Sequence, residues 1–434
     1  MRHFTLLLGA ASTFAIAAVA EAQSVTIATV NNADMIRMQG LTDEFNKAHP
    51  DITVNWVTLE ENVLRERVTT DIATGGGQYD VMTIGNYEVP IWAKQGWLNA
   101  LQFDAGYDVD DLLPAIRGGL SVDDKLYAAP FYGESAMIMY RTDLMEKAGL
   151  TMPESPDWTF IADAARKMTD KDAGIAGICL RGKAGWGENM AFLTALNNSF
   201  GGKWFDEAWK PQFDQPTWKE SLTFYADLMK EAGPAGASSN GFNENLTLFQ
   251  QGKCGMWMDA TVAASMVTDP KTSTVADKVG FALFPNKEGV DNHGNWLWSW
   301  NLAIPASSKN AEAAKTFIEW ATSKDYSELV ASKQGWAAAP PGTRTSLYEN
   351  ADYQAAAPFA GPTLAAMNAA DITKPTVDPV PYTGGQFVAI PEFQSIGTTV
   401  GQLFSAVIAG QSTVDDALAQ AQSATEREMR RGGY

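Results

Sequence analysis

The sequence predicts an α/β fold with a largely parallel sheet. Two observations carry that expectation, and the chain's length adds that more than one domain is present. Short β-branched runs alternate with helical patterns along Val25–Ile84. The intervening helices are long enough for right-handed crossovers between parallel neighbours. At 434 residues, the chain exceeds the roughly 250–300 residues that one hydrophobic core usually serves.

Val25–Val30 reads as the first strand, followed by a helix over Ile36–His49 with Leu41, Phe45 and Ala48 as its apolar positions. Ile52–Leu59 is the next strand. Val63–Ala73 is the next helix, closed by Gly75–Gly77. Tyr79–Ile84 is the third strand. Ligands of open parallel sheets collect beyond the carboxyl ends of the strands. That rim holds Asn31, Asn32, the Glu61–Arg65 segment and Gly85–Glu88.

Further on, helices are expected at Trp158–Met168 and Gln215–Ala232, and strands at Gly174–Leu180, Gly255–Asp259 and Val279–Phe284. Gly233–Gly241 reads as a small-residue loop. Asn310 can cap a helix whose Ala314, Phe317, Ile318 and Ala321 share one face. Thr413–Arg427 reads as a polar surface helix.

Arg2 and His3 precede the apolar run Phe4–Ala20, and Ala20-Glu21-Ala22 has the form of a cleavage site. Residues 1–22 are therefore expected to be an export signal, leaving Gln23 as the new N-terminus. No cysteine follows the cut, so no lipid anchor is expected there, and the mature protein should be exported and soluble. Thirty-two basic against 51 acidic residues give a net charge of −19, which argues against nucleic acid or anionic membranes as partners. Cys179 and Cys254, the two cysteines, lie in strand-like runs. An oxidising compartment permits a bridge if those strands are neighbours, with two buried thiols as the alternative.

Catalytic and nucleotide motifs are weak. Gly177–Lys183 fits G-x-x-x-x-G-K, but Ala184 stands where a magnesium-binding Ser or Thr belongs. With His3 in the signal, His49 and His293 remain, too few for a histidine-based metal site or triad. The carboxylate pairs Glu60/Glu61, Asp110/Asp111, Asp123/Asp124 and Asp415/Asp416 suit solvated helix caps better than a glycosidase pair. Neither catalysis nor a cofactor is expected.

The 14 tryptophans are more informative. Trp296, Trp298 and Trp300 alternate, so a strand would put all three on one face. Such a face is either core or the wall of a carbohydrate cleft, where flat rings pack on C–H surfaces and polar groups satisfy hydroxyls. Trp186 and Trp336 sit in glycine-flanked loops, where core packing is less natural.

Several segments together resemble the solute-binding proteins of ABC importers for sugar alcohols, the sorbitol/mannitol-binding group of family 1. They are Asn31–Gln39, Thr83–Leu98, Pro130–Ser135, Gly177–Asn189, Gly335–Arg344 and Gly410–Leu418. The resemblance spans essentially the whole mature chain. It implies a two-lobed, maltose-binding-protein-like type II fold, each lobe a mostly parallel sheet flanked by helices. The implied lobes are about 23–133 plus 302–336 and about 134–301 plus 337–434. It implies a periplasmic monomer that captures a linear polyol between the lobes and delivers it to membrane permease subunits. The implied contacts are Asn32, Arg65, Asn86 and Glu88 from the first lobe and Glu134 at the hinge. Arg181, Trp186, Asp259, Trp298, Asn301, Trp336 and Arg344 come from the second lobe or crossovers. Trp298 is expected to serve the ligand more than the fold.

Overall fold

The computed structural model describes residues 23–153, 155–292 and 295–434. The expected signal segment, 1–22, and His293 lie outside the described residues.

Strand β1 (Gln23–Val30) leads into helices α1 (Ala33–Gly40) and α2 (Thr42–Ala48), then β2 (Ile52–Leu59), α3 (Glu61–Thr74), β3 (Val81–Gly85) and α4 (Glu88–Lys94). The single helix expected over Ile36–His49 is broken at Leu41. Gly40 is a poor helix former, and the Thr42 hydroxyl donates to the Gln39 carbonyl at 2.8 Å, competing with the helical ladder. Asn32 caps α1, its Oδ1 accepting from Met35 N at 3.1 Å. Glu60 caps α3, accepting from Asn62 N at 3.1 Å. Gly75 ends α3 at φ 64°, a left-handed conformation that glycine adopts without strain.

A short hairpin follows, β4 (Ser121–Val122) and β5 (Lys125–Leu126), then the long β6 (Ala129–Arg141), β7 (Ala176–Cys179), β8 (Cys254–Ala260), β9 (Val279–Leu283) and β10 (Leu297–Ala303). The main sheet runs β2-β1-β3-β10-β6-β8-β7, with β9 on β6. Where helices connect the strands at its two ends, pairing is parallel: β1 with β2 and β3, and β7 with β8. Strand β10 lies antiparallel between β3 and β6. Strand β6 changes partners along its length, from β10 up to Ser135 to β8 and β9 from Ala136 onward.

Helix Ala311–Ala321 buries Ala314, Phe317, Ile318 and Ala321 as the spacing predicts. Asn310 occupies its N-cap position without capping it, because its amide donates to Asp80 Oδ1 at 3.1 Å. The last helix, Val414–Gly432, is not purely a surface helix. It buries Ala417, Leu418, Ala421 and Met429, and lies against helix Phe393–Ile408. Among the described residues no helix is long and apolar enough to cross a membrane.

Cys179 closes β7 and Cys254 opens β8; they form a disulfide with 6.0 Å between Cα atoms. The bridge spans 75 residues of sequence, a loop whose closure removes about 4 kcal/mol of unfolded-state entropy. We expect no free thiol in denatured, unreduced protein and two after reduction, with a lower unfolding midpoint for the reduced form. Thiol titration beside a denaturation curve checks both, and an unchanged midpoint would show that β7 and β8 hold without the bridge.

Candidate functional site

The carboxyl ends of β1, β2 and β7 converge with β6 and β10 on one cavity. Asn31 and Asn32 follow β1, while Glu60, Glu61 and Arg65 follow β2. Arg181, Lys183, Trp186 and Glu188 follow β7. Tyr132 and Glu134 on β6 and Trp296, Trp298 and Trp300 at β10 complete the walls, with Phe242 and Gln386. The space open to water-sized molecules is about 100 Å³. That admits several waters or one small organic molecule, since one water occupies roughly 10–15 Å³ on this measure.

Two buried arginines organise the walls. Arg65 donates to Glu61 Oε1 at 3.1 and 2.8 Å and to Glu88 Oε1 at 2.9 Å. Its guanidinium lies 4.0, 4.8 and 5.0 Å from the ring centres of Trp186, Trp300 and Trp298. These are cation–π distances, and the rings thereby orient around a fixed charge. Arg181 makes a two-pronged pair with Asp259 at 2.9 and 2.7 Å and donates to the Gly187 carbonyl at 2.8 Å. Planar fork geometry suits arginine to both tasks.

The carboxylates around them are perturbed. Burial pushes Glu134 well above the usual carboxylate range, against the pull of Arg181. Burial, aided by the charge of Glu61, raises Glu188 to about 7, with Arg181 and Lys183 opposing. A carboxyl held neutral, as Glu134 is, keeps an O–H donor as well as an acceptor. Glu134 Oε2 and the indole N–H groups of Trp186 and Trp296 are buried without a hydrogen-bond partner. Three wall residues thus have polar groups for a ligand to satisfy.

With this geometry in hand, the profile of the bacterial extracellular solute-binding proteins matches residues 32–328. The chain belongs to that family. A mannitol-binding protein of Pseudomonas aeruginosa is 56% identical over 414 residues, covering 95% of this chain and 94% of the relative. A solute-binding protein of an ABC transporter from Agrobacterium vitis S4, solved with bound D-mannitol, is 70% identical with a TM-score of 0.94, covering 95% of this chain and 100% of that one. A ribitol complex from Agrobacterium radiobacter K84 is 26% identical with a TM-score of 0.83, covering 94% and 99%. The fold is accordingly the two-lobed, maltose-binding-protein-like α/β fold of this family.

Within the family fold, the expected contact residues fall into three groups. Asn32, Arg65, Glu134, Arg181, Trp186 and Trp298 line the cavity. Asn86, Glu88, Asp259 and Asn301 stand behind its walls. Asn86 donates to the Leu297 carbonyl at 3.2 Å, and Asn301 to those of Ile84 and Ser299 at 3.1 and 2.8 Å. Glu88 and Asp259 hold the two arginines. Trp336 and Arg344 lie outside the cavity wall. Trp336 opens a 3₁₀ turn against a separate apolar cluster. Arg344 donates to the Thr322 carbonyl at 3.3 and 3.1 Å and to Asp111 at 3.3 Å, bracing the scaffold.

Sequence reasoning missed Tyr132, Lys183, Glu188, Phe242 and Gln386 as wall residues. Tyr132, Lys183 and Glu188 stand inside segments that resemble the family, beside Glu134, Arg181 and Trp186, so their proximity was an available signal. Phe242 and Gln386 carry no local signal. Glu60 and Glu61 are more than solvated caps: Glu60 caps α3, and both line the cavity.

Proposed function

We propose that this protein is the periplasmic binding component of an ABC importer, capturing a linear polyol such as mannitol or sorbitol and handing it to membrane permease subunits. The carrying observation is a small cavity lined by carboxyl and guanidinium groups beside tryptophan side chains, two of which carry indole N–H groups with no protein partner. Polyols present alternating hydroxyls and C–H surfaces, and this wall matches both. The D-mannitol and ribitol complexes of its relatives support the same ligand class. The cavity's size suits a single small molecule better than an oligosaccharide.

The cavity lies between lobes of about 23–133 plus 302–336 and about 134–301 plus 337–434. The change of partners along β6 after Ser135 supports the first crossing. The protein works as a monomer and by binding alone, breaking no bond, with hinge motion closing the lobes on the ligand. Residues 1–22 direct export and are removed after Ala22.

A ligand at a hundredfold excess over Kd stabilises the folded state by about 2.7 kcal/mol. Mannitol or sorbitol is expected to raise the melting midpoint by a few degrees and shift tryptophan fluorescence over the same concentration range. Glucose and maltose should do much less. If a ring sugar produces both effects and acyclic polyols neither, the polyol assignment falls and the binding class stands.

A further inference from the structure

A chain of charge joins two walls of the cavity. Lys183, on the loop after β7, pairs with Glu60 at the start of α3 and with Glu188 at 3.1 Å. Beside it, the Asn62 amide donates to the Ala184 carbonyl at 3.3 Å. Two glycines make this approach possible. A Cβ on Gly185 would lie 2.5 Å from Asn62 Oδ1, and one on Gly187 would lie 2.1 Å from Glu61 Oε1. Between them, Trp186 lays its ring over the Arg65 guanidinium at 4.0 Å. The loop from Lys183 to Glu188 is thus seated on the first turns of α3 through an ion bridge, a hydrogen bond and a cation–π contact.

We propose that Lys183 is a positioning residue that clasps two walls of the cavity together and so sets how long a bound solute stays, without choosing which solute binds. The proposal rests on the polyol-binding reading for its ligand. Its geometric basis is that the ammonium is committed to carboxylates on both walls. The Glu60 side chain is 36% exposed and that of Glu188 5%, so one arm of the clasp meets solvent and can open, while the other is anchored. Although burial works the other way, Glu188 and Glu60 hold the ammonium above the usual lysine range, so it stays charged.

The test uses the full mature chain, with mannitol and sorbitol as probes. Stopped-flow tryptophan fluorescence should show dissociation at least fivefold faster in Lys183→Met, with association within twofold and the mannitol-to-sorbitol preference unchanged. Lys183→Arg should restore most of the residence time. Glu60→Gln should quicken release, and adding it to Lys183→Met should bring little further change, because one bridge is lost only once. Amide hydrogen exchange over residues 183–189 of the ligand-free protein should also quicken in Lys183→Met. Unchanged release and exchange would overturn the clasp, as would a changed polyol preference, which would make Lys183 a ligand contact. Faster exchange in a protein that binds neither polyol would uphold the clasp and remove the polyol assignment.

Discussion

Replacing Arg181 with Met is expected to cost about 3–5 kcal/mol of stability, the usual penalty for breaking a buried ion pair from one side. Polyol affinity should fall at least tenfold. Asp259 is buried, and without the guanidinium its carboxylate keeps only the Trp257 indole N–H at 3.2 Å and the Ala260 N–H at 2.7 Å. The informative companion is Arg181→Met with Asp259→Asn, which removes the stranded charge. Denaturant unfolding should show most of the stability recovered in the double variant, while calorimetric titration shows affinity still lost. Recovery of affinity as well would mean that Arg181 only braces the wall.

Trp298→Ala should be nearly as damaging to the fold. The side chain is buried, and its ring meets Gly85 so closely that a Cβ there would stand 1.9 Å from it. Trp300, Trp186 and Phe387 surround it with ring centres at 5.5, 5.7 and 5.9 Å. Truncation leaves a cavity, for which about 3–5 kcal/mol is typical. It also takes one of three rings from around Arg65. We therefore expect a large drop in unfolding free energy together with at least tenfold weaker binding. The expectation that Trp298 serves the ligand more than the fold gives way to a double role. Weaker binding at unchanged unfolding free energy would restore the first view.

The helix-linked strands were legible because their signals are local. The β-branched runs became β1, β2 and β3, the cysteine runs became β7 and β8, and the alternating tryptophans reached one cavity wall. Element ends were less legible. The Leu41 break depends on a threonine hydroxyl in competition with the backbone, and Asn310 gave up its cap to Asp80 across more than two hundred residues. The site was legible in part. Asn32, Glu134, Arg181 and Trp186 lie in segments that resemble the family and also line the cavity. Trp336 and Arg344 lie in such a segment too, yet their contacts are with the scaffold.

The sequence by itself determined the α/β class, the order of the helix-linked strands, the acidic character and the residue chemistry that a hydroxyl-rich ligand would meet. Tertiary structure alone decided which arginine pairs with which carboxylate, that Lys183 bridges Glu60 and Glu188, and that Trp298 packs on Gly85. The division has a physical cause. Helices and strands are selected by neighbours a few positions away, whose periodicity and caps are written in order along the chain. The cavity is made by residues from Val30 to Gln386, and their partners are chosen by burial and electrostatics acting through space.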